Sequence, residues 1–540
     1  MEGNLADIIE AVADALPGGL ALVQGDRRLT WSEFDDRAAR LAGALSAAGV
    51  GPGAKVASYL YNGNEYLEGV LATFKLRGVP VNVNYRYLED ELVYLLENSD
   101  AEALLFHGAL GEHVAKVVDR APGVRCWIQV DDGSPHQEFA ERYEDLIAAT
   151  EPMPRIPRSG DDLYFLYTGG TTGMPKGVMW RCQDLWEVLA ESVYPLVGET
   201  RPDSTAAVGA IARKVVETGP ARMHLPASPL MHGTGAFTTF QAMFVGSGVV
   251  TLTGRHFDPH ELWRTVATEG VTQMAIVGNA FAKPMLAALE ATEAAGEPYD
   301  LSSLQLVISS GVMWSAEVKQ GLLARGSFLC LDSLGSSEGI GFAGSVTAPG
   351  AEQRTARFTI GARTKVFTED GREVVPGSGE VGRLAVGGNI PVGYYKDPEK
   401  SAATFPVIAG ERWSVPGDFA SVEADGTVTL LGRGSVVINS GGEKIFPEEV
   451  EEAVKEHPAV HDCLVVGVPD DRFGEAVVAV VSLLPDANAA TGELAEALEA
   501  LARYKRPRRF VFVDEVRRGP NGKADYKWAR ETAAATSSSS

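Results

Sequence analysis

The residues that pack the most chemistry into the least chain are Tyr167-Thr168-Gly169-Gly170-Thr171-Thr172-Gly173-Met174-Pro175-Lys176-Gly177, directly after the apolar run Leu163–Leu166. Glycines let a backbone close around a phosphate group, the hydroxyls of Thr168, Thr171 and Thr172 can donate to its oxygens, and Lys176 adds positive charge. The pattern predicts a phosphate-gripping loop, with a solvated Gly/Thr turn as the alternative. It is not a Walker A loop, because no GK[ST] occurs and Pro175 would break the helix that such a motif opens. Taken one at a time, other reactive residues are ordinary: Asp418 follows the turn-forming Pro416-Gly417, Glu338 reads as a surface carboxylate, and Lys523 rides the turn dipeptide Asn521-Gly522. His232, beside Gly233 and Gly235, reads equally as a structural histidine.

Two pattern matches are set aside. Gly377-Ser378-Gly379-Glu380-Val381-Gly382 fits GxGxxG, but it leads into the strand-like Val381–Val386 and does not open a helix, so it predicts a hairpin turn. The acidic run from Glu448 to Glu452 follows Pro447, where carboxylates complement a helix N-terminus.

The elements that must position these residues alternate. Thr30-Trp31-Ser32-Glu33 reads as a capping box opening an Ala/Leu-rich helix that Gly49 stops. Strand Val56–Leu60, helix Glu68–Leu76 and the apolar run Pro80–Val83 follow, and the rhythm recurs from Leu262 to Ile308, with strands at Gln273–Val277 and Leu304–Ile308 and a helix around Pro284–Leu289. Alternation of this kind predicts parallel α/β sheets. From Gly361 the chain turns to strands punctuated by Asp-Gly and Pro-Gly, which predicts an antiparallel β region. After Gly432-Arg433-Gly434-Ser435 come a helix from Pro447, strands Cys463–Val468 and Ala476–Leu484, a helix Thr491–Ala502 and a strand Arg509–Val513, enough for a separate small domain. The expected division is 1–434, 435–531 and a disordered tail 532–540.

Composition narrows the class of function. A chain of 540 residues exceeds one compact core, and 48 basic against 72 acidic residues leave a net charge of -24, which repels nucleic acid and anionic lipid. The four cysteines Cys126, Cys182, Cys330 and Cys463 form no metal-ligand spacing, and no apolar run reaches the ~18 residues that cross a bilayer. The acidic N-terminus lacks the basic start and apolar core of a secretory signal. These features predict a cytoplasmic enzyme without membrane insertion.

Taken in chain order, the motifs resemble the adenylate-forming superfamily of acyl-CoA synthetases, nonribosomal-peptide adenylation domains and beetle luciferases. The resemblance spans almost the whole chain: the phosphate loop, Ser228-Pro229-Leu230-Met231-His232-Gly233-Thr234-Gly235, Asp332-Ser333-Leu334-Gly335-Ser336-Ser337-Glu338, Gly393-Tyr394-Tyr395, Pro416-Gly417-Asp418, Gly432-Arg433, Ser440 to Glu451, and Pro520-Asn521-Gly522-Lys523. It implies an α/β fold, with a large N-terminal domain of α/β layers plus a β subdomain and a small mobile C-terminal α/β domain hinged near Ser435. It implies that Thr168, Gly169, Gly170, Thr171, Thr172 and Lys176 hold ATP phosphates and that Glu338 binds Mg2+. Gly311, Val312, Asp332, Ser333, Leu334, Gly335, Ser336 and Ser337 would contribute to the nucleotide site, with Asp418 on the ribose, Arg433 near the α-phosphate, and Gly441, Gly442 and Lys444 from the segment beyond. Lys523 would bridge substrate carboxylate and α-phosphate, and His232 would gate the acyl pocket for the CoA thiol.

The implied reaction joins a carboxylic acid to coenzyme A through an acyl-adenylate, with ATP consumed and AMP and pyrophosphate released. The segments Tyr164–Arg181, Val277–Ala282 and Gly432–Glu451 are most similar to actinobacterial ligases of bulky lipids, including sterol side-chain acids, with diterpenoid-acid ligases a further candidate. Gly169 and Leu334 stand where the family usually has serine and an aromatic ring, which predicts weaker ATP binding. A ligase that takes preformed acyl-adenylate from a partner adenylating enzyme, and a stand-alone adenylation domain that loads a carrier protein, are the alternatives; a homodimer is compatible with the resemblance.

Overall fold

The computed structural model describes residues 3–168, 174–219, 222–312, 314–351, 357–440, 443–470, 474–485, 487–498, 501, 503–519 and 522–535, without the side chains of residues 433, 435, 439, 443, 444 and 474. The chain forms two compact units, Met1–Gln353 with Val386–Ser414, and Arg354–Ala385 with Val415–Ser540.

The first unit holds two α/β sheets. In one, strands Leu163–Thr168, Val79–Asn82, Lys55–Tyr59, Ala101–His107, Cys126–Val130 and Glu141–Arg142 run parallel in that spatial order. Two antiparallel strands, Lys176–Arg181 and Gly393–Tyr394, then extend it beyond Leu163–Thr168. The other places Leu20–Gln24, Gly248–Thr251, Met223–Pro226, Gln273–Ile276, Leu306–Ser310 and Leu329–Ser336 in parallel order, closed by antiparallel Gly339–Thr347. Because helices cover such sheets, their strands are buried on both faces: Met223–Pro226, Gly248–Thr251 and Val79–Asn82 are buried at every residue, the polar His224, Thr251 and Asn82 included.

Local signals account for many element ends. Thr30 and Glu33 form the expected capping box on helix Trp31–Ala47, with Glu33 accepting the Thr30 N–H at 2.7 Å and Thr30 Oγ1 accepting the Glu33 N–H at 3.3 Å. Gly49, two residues past that helix, has φ +83°, which glycine adopts without strain. Helix Gly278–Ala294 runs through Pro284, starting well before the segment that reads as helical in sequence. Its first turn is held from outside, where the Gly278 N–H donates to Ser309 Oγ at 2.9 Å and Asn279 Oδ1 accepts the Ser315 N–H at 3.1 Å.

The second unit contains an antiparallel sheet of strands Arg357–Ile360, Val428–Arg433 and Asp418–Val422, with Val381–Arg383 paired to the last. The GxGxxG match is a turn, as expected, with Gly377 and Gly379 at φ +75° and +73° ahead of strand Val381–Gly387. The region from Ile438 on builds a further sheet, in which Val460–Asp470 and Gly474–Leu483 form a long hairpin and Arg509–Phe512 lies parallel to the second strand. Its two faces bury separate apolar clusters, one under helix Pro447–Lys455 and one under helix Tyr526–Ala535. That last helix corrects the expected tail: 532–535 are helical because Ala529 and Ala533 are fully buried on its apolar stripe. Residues 536–540 lie outside the described residues. The helix expected over Thr491–Ala502 ends at Ala497. Among the described residues no helix is long and apolar enough to cross a membrane.

Candidate active site

The candidate phosphate loop joins the two strands of a hairpin. Strand Leu163–Thr168 leads in, strand Lys176–Arg181 leads out, and the register sets Thr168 opposite Lys176. Gly169, Gly170, Thr171, Thr172 and Gly173 lie outside the described residues. Strand Leu163–Thr168 stands where the sheet switches from parallel to antiparallel, so Thr168 is reached along a strand with neighbours on both sides. A buried residue unremarked in the sequence, Asn82, locks that base: its Oδ1 accepts the Tyr167 N–H at 2.5 Å, and its Nδ2 donates to the Tyr167 carbonyl at 2.9 Å and the Met231 carbonyl at 2.6 Å. Asn82 thereby ties the loop to the residue before His232.

His232 is the N-cap of helix Gly233–Phe244. A second asparagine, Asn62, shapes the approach, accepting the Leu230 N–H at 2.7 Å and donating to the carbonyls of Pro226 and Ser228 at 3.1 and 3.2 Å. Gly235 is required by a close approach, since any Cβ there would strike the Pro229 carbonyl. The motif Ser228 to Gly235 is thus a backbone turn pinned by the side-chain amides of Asn62 and Asn82 and opened into a helix.

Glu338 is brought to Lys176 by strand Gly393–Tyr394. That strand pairs Tyr394 with Val178, and the Tyr394 hydroxyl donates to Glu338 Oε1 at 2.8 Å while its ring centre lies 5.9 Å from Lys176 Nζ. Lys176 Nζ also meets Asp397 Oδ2 at 2.5 Å. Hydrogen bonding to Lys176 holds the Asp397 carboxyl below its ordinary range. The backbone around Glu338 is fixed twice more, by Trp180 Nε1 on the Ser337 carbonyl at 3.0 Å and by Ser414 Oγ on the Glu338 carbonyl at 2.6 Å. A single carboxylate such as Glu338 is a donor set that would suit Mg2+, which takes few protein carboxylates and fills its remaining positions from phosphates and water. No group of three or more metal-ligating side chains exists among the described residues.

The proposed base-binding segments are the C-terminal ends of two parallel strands. Ser310 pairs with Ser333; beyond that pair Gly311 turns away at φ +90°, while Ser333 to Ser336 stay in the sheet, paired on their other side to Gly339–Gly344. Leu334 pairs with Ala343 and Ser336 with Gly339, on either side of an irregularity at Gly335. Asp332 is buried and its carboxylate is paired with Lys319 Nζ. Burial raises the Asp332 pKa, opposed by the charge and hydrogen bond of Lys319.

In the second unit, Asp418 and Arg433 are register partners at adjacent strand ends, although 15 positions apart in sequence. Gly417, at φ +105°, turns the chain into Asp418, and the Gly434 N–H donates to the Gly417 carbonyl at 2.9 Å. Lys444 faces Asn439 across the hairpin Ile438–Ile445, while Gly441 and Gly442 lie outside the described residues. Lys523 is exposed, in a turn where the Gly519 N–H donates to the Lys523 carbonyl at 2.7 Å. The four cysteines are free and buried. Burial pushes Cys126 up to about 11 and Cys182 and Cys330 up to about 12, so these three are not poised nucleophiles.

The family model for AMP-binding enzymes matches residues 9–395, and the model for the AMP-binding enzyme C-terminal domain matches 449–523. The chain belongs to the AMP-binding family of adenylate-forming enzymes. It is 44% identical over 537 residues to a 3-oxocholest-4-en-26-oate–CoA ligase of Rhodococcus rhodochrous, covering 98% of this chain and 95% of the relative. A medium/long-chain-fatty-acid–CoA/3-oxocholest-4-en-26-oate–CoA ligase of Mycobacterium marinum is also 44% identical, over 98% of this chain and 96% of its own. The crystal structure of the anthranilate CoA ligase AuaEII with anthranoyl-AMP superposes with a TM-score of 0.84 at 23% identity, covering 99% and 98% of the two chains, which shows the shared fold. The ligase is an AMP-forming acid–thiol ligase, an acyl-CoA synthetase that uses ATP and CoA.

Sequence reasoning missed Asn62, Asn82, Tyr394 as a partner of Glu338, and Asp397 as a partner of Lys176. Tyr394 stood within a quoted motif, but nothing local connects it to a carboxylate 56 positions away.

Proposed function

We propose that the ligase activates a sterol side-chain carboxylic acid, with medium- and long-chain fatty acids as a second substrate class. The observation that carries this reading is identity of 44% along nearly the full length to two ligases named for 3-oxocholest-4-en-26-oate. In the first half-reaction a substrate carboxylate oxygen attacks the α-phosphorus of ATP, the bond to the bridging oxygen breaks, and pyrophosphate leaves. Thr168, Thr171, Thr172 and Lys176 hold the phosphates, Asp418 accepts the ribose hydroxyls, and Arg433 and Lys523 oppose the charge that accumulates as one anion attacks another. Mg2+, held by Glu338, would neutralise the phosphate oxygens. In the second half-reaction the CoA sulfur attacks the acyl carbon, the bond to AMP breaks, and the thiol proton passes to solvent, with His232 gating entry of the thiol. The domain after Ser435 turns between the two steps, presenting Lys523 in the first. Buried free thiols support a reducing, cytoplasmic setting.

The test is a panel of 3-oxocholest-4-en-26-oate, dodecanoate, palmitate and a diterpenoid acid, each with ATP and CoA, reading AMP, pyrophosphate and thioester separately. The reading expects all three products, with the steroid acid giving the highest kcat/KM. Absent pyrophosphate–ATP exchange beside rapid thioester formation from synthetic acyl-adenylate would replace it with a ligase that depends on a partner adenylating enzyme.

A further inference from the structure

Lys523 is carried on a tight turn of the backbone. Gly522 sits at φ +70°, two backbone hydrogen bonds close the turn, from the Gly519 N–H to the Lys523 carbonyl and from the Gly522 N–H to the Gly519 carbonyl, and Arg518 bridges to Ala524 at its base. The direction in which the turn presents Lys523 depends on how the backbone before it is fixed.

Arg518 supplies the fixing contact. Its guanidinium spends two nitrogens on one carboxylate, Nε on Asp462 Oδ2 at 2.5 Å and Nη2 on Asp462 Oδ1 at 2.8 Å. Its third nitrogen, Nη1, donates to the carbonyl of Gly522 at 3.1 Å, the peptide oxygen immediately before Lys523. The carboxylate is itself anchored, since Asp462 Oδ1 also accepts the Cys463 N–H at 2.8 Å. Asp462 lies just past a bulge where strand Val460–Asp470 pairs with Gly474–Leu483, and bulges re-aim side chains out of the regular alternation. Burial lowers the guanidinium's affinity for its proton, but hydrogen bonding and the charges of Asp462 and Glu451 more than reverse this, so the fork stays charged. A guanidinium is planar and its donors are fixed in direction, so holding two of them on Asp462 dictates where the third points.

We propose that Arg518 is a positioning residue for the adenylation half-reaction: clamped on Asp462, it fixes the Gly522 carbonyl and so aims Lys523. This rests on the reading that Lys523 acts in adenylation. Lysine at 518 could reach the carboxylate or the carbonyl but lacks the fork to hold both in a set direction.

The experiment uses the full chain with Arg518→Lys, Arg518→Met, Asp462→Asn and Lys523→Ala, and the acid that wild type turns over best in the panel above. Pyrophosphate–ATP exchange reads the first half-reaction, and thioester formation from synthetic acyl-adenylate reads the second. Hydrogen exchange of residues 517–525 reads the turn without any substrate. Misplacing a reacting group by 1 Å costs up to about 100-fold, so Arg518→Met should lower exchange by about 10- to 100-fold while thioester formation stays within about twofold, with Arg518→Lys between wild type and methionine. Asp462→Asn, which keeps shape and loses charge, should lower exchange in the same direction, and amides of 517–525 should exchange faster in both variants. Wild-type exchange in Arg518→Met and Asp462→Asn, beside loss in Lys523→Ala, would overturn the proposal and leave the role of Lys523 standing. Undiminished exchange in Lys523→Ala would overturn the underlying reading and this proposal with it. Equal loss of both half-reactions in every Arg518 and Asp462 variant would make the clamp merely structural.

Discussion

The buried pair Lys319–Asp332 gives a sharp prediction about strand Leu329–Ser336. Lys319, on helix Ala316–Leu323, has a side chain 3% exposed, and Asp332, four residues short of Ser336, is 12% exposed. The ammonium also lies 5.3 Å from the ring centre of the buried Trp314. Lys319→Met keeps length and volume but leaves a carboxylate in a dry site, a change that costs about 3–5 kcal/mol, set against a total of about 5–15 kcal/mol for a folded domain. Asp332 already has a raised pKa from burial, and removing Lys319 removes the opposing influence, so it rises further. A carboxylate with a raised folded pKa favours folding at low pH and loses that advantage as pH rises from the unfolded value toward the folded one. Between the unfolded and the folded pKa, the deficit of Lys319→Met should therefore shrink on acidification, by at most about 1.4 kcal/mol per pH unit. Urea unfolding of wild type, Lys319→Met, Asp332→Asn and the double variant at pH 5.5, 6.5 and 7.5 measures this. The double variant should lose less than the sum of the singles, with a coupling of about 1–3 kcal/mol. Strict additivity of the two single variants would show that the pair is not coupled as drawn.

Tyr394→Phe removes the hydroxyl from Glu338, a hydrogen bond to a charged group worth about 1.5–3 kcal/mol, and should weaken binding of Mg2+ with a non-hydrolysable ATP analogue by about tenfold or more in calorimetry; unchanged affinity would separate Tyr394 from the metal carboxylate. His224 is fully buried on strand Met223–Pro226, and burial lowers its pKa from 6.5 to about 3. It stays neutral in the fold while the unfolded chain takes up a proton, so stability should fall by about 1.4 kcal/mol per unit as pH drops from about 6.5 toward 3, and His224→Asn should flatten that limb, which an unchanged slope would contradict. Ser435→Pro fixes φ near -65° in the turn Gly434–Val436, and under the proposed hinge it should preserve one half-reaction and abolish the other; undisturbed turnover would move the hinge elsewhere.

Motif order carries the family and the α/β class because each motif is local chemistry: a glycine where the backbone needs positive φ, a lysine after a loop, an aspartate after Pro-Gly. Gly417 and Gly522 adopt such angles. Boundaries set by distant partners were less legible. Helix Gly278–Ala294 begins ahead of Pro284 because Ser309 and Ser315 hold its first turn, and helix Tyr526–Ala535 persists through a small, polar stretch because two alanines pack beneath it.

By itself the sequence determined the family, through the order of its motifs, and the alternation that makes parallel sheets. Only the tertiary structure decided what orients the motif residues. Asn82 meets Met231 across 149 positions, Lys176 meets Asp397 across 221, Tyr394 meets Glu338 across 56, and Arg518 meets Asp462 across 56. These contacts are made by side chains whose types are common and whose neighbours in the chain carry no trace of the partner. The physical reason is that a hydrogen bond depends on distance and direction in space, and sheet register, not residue spacing, sets both.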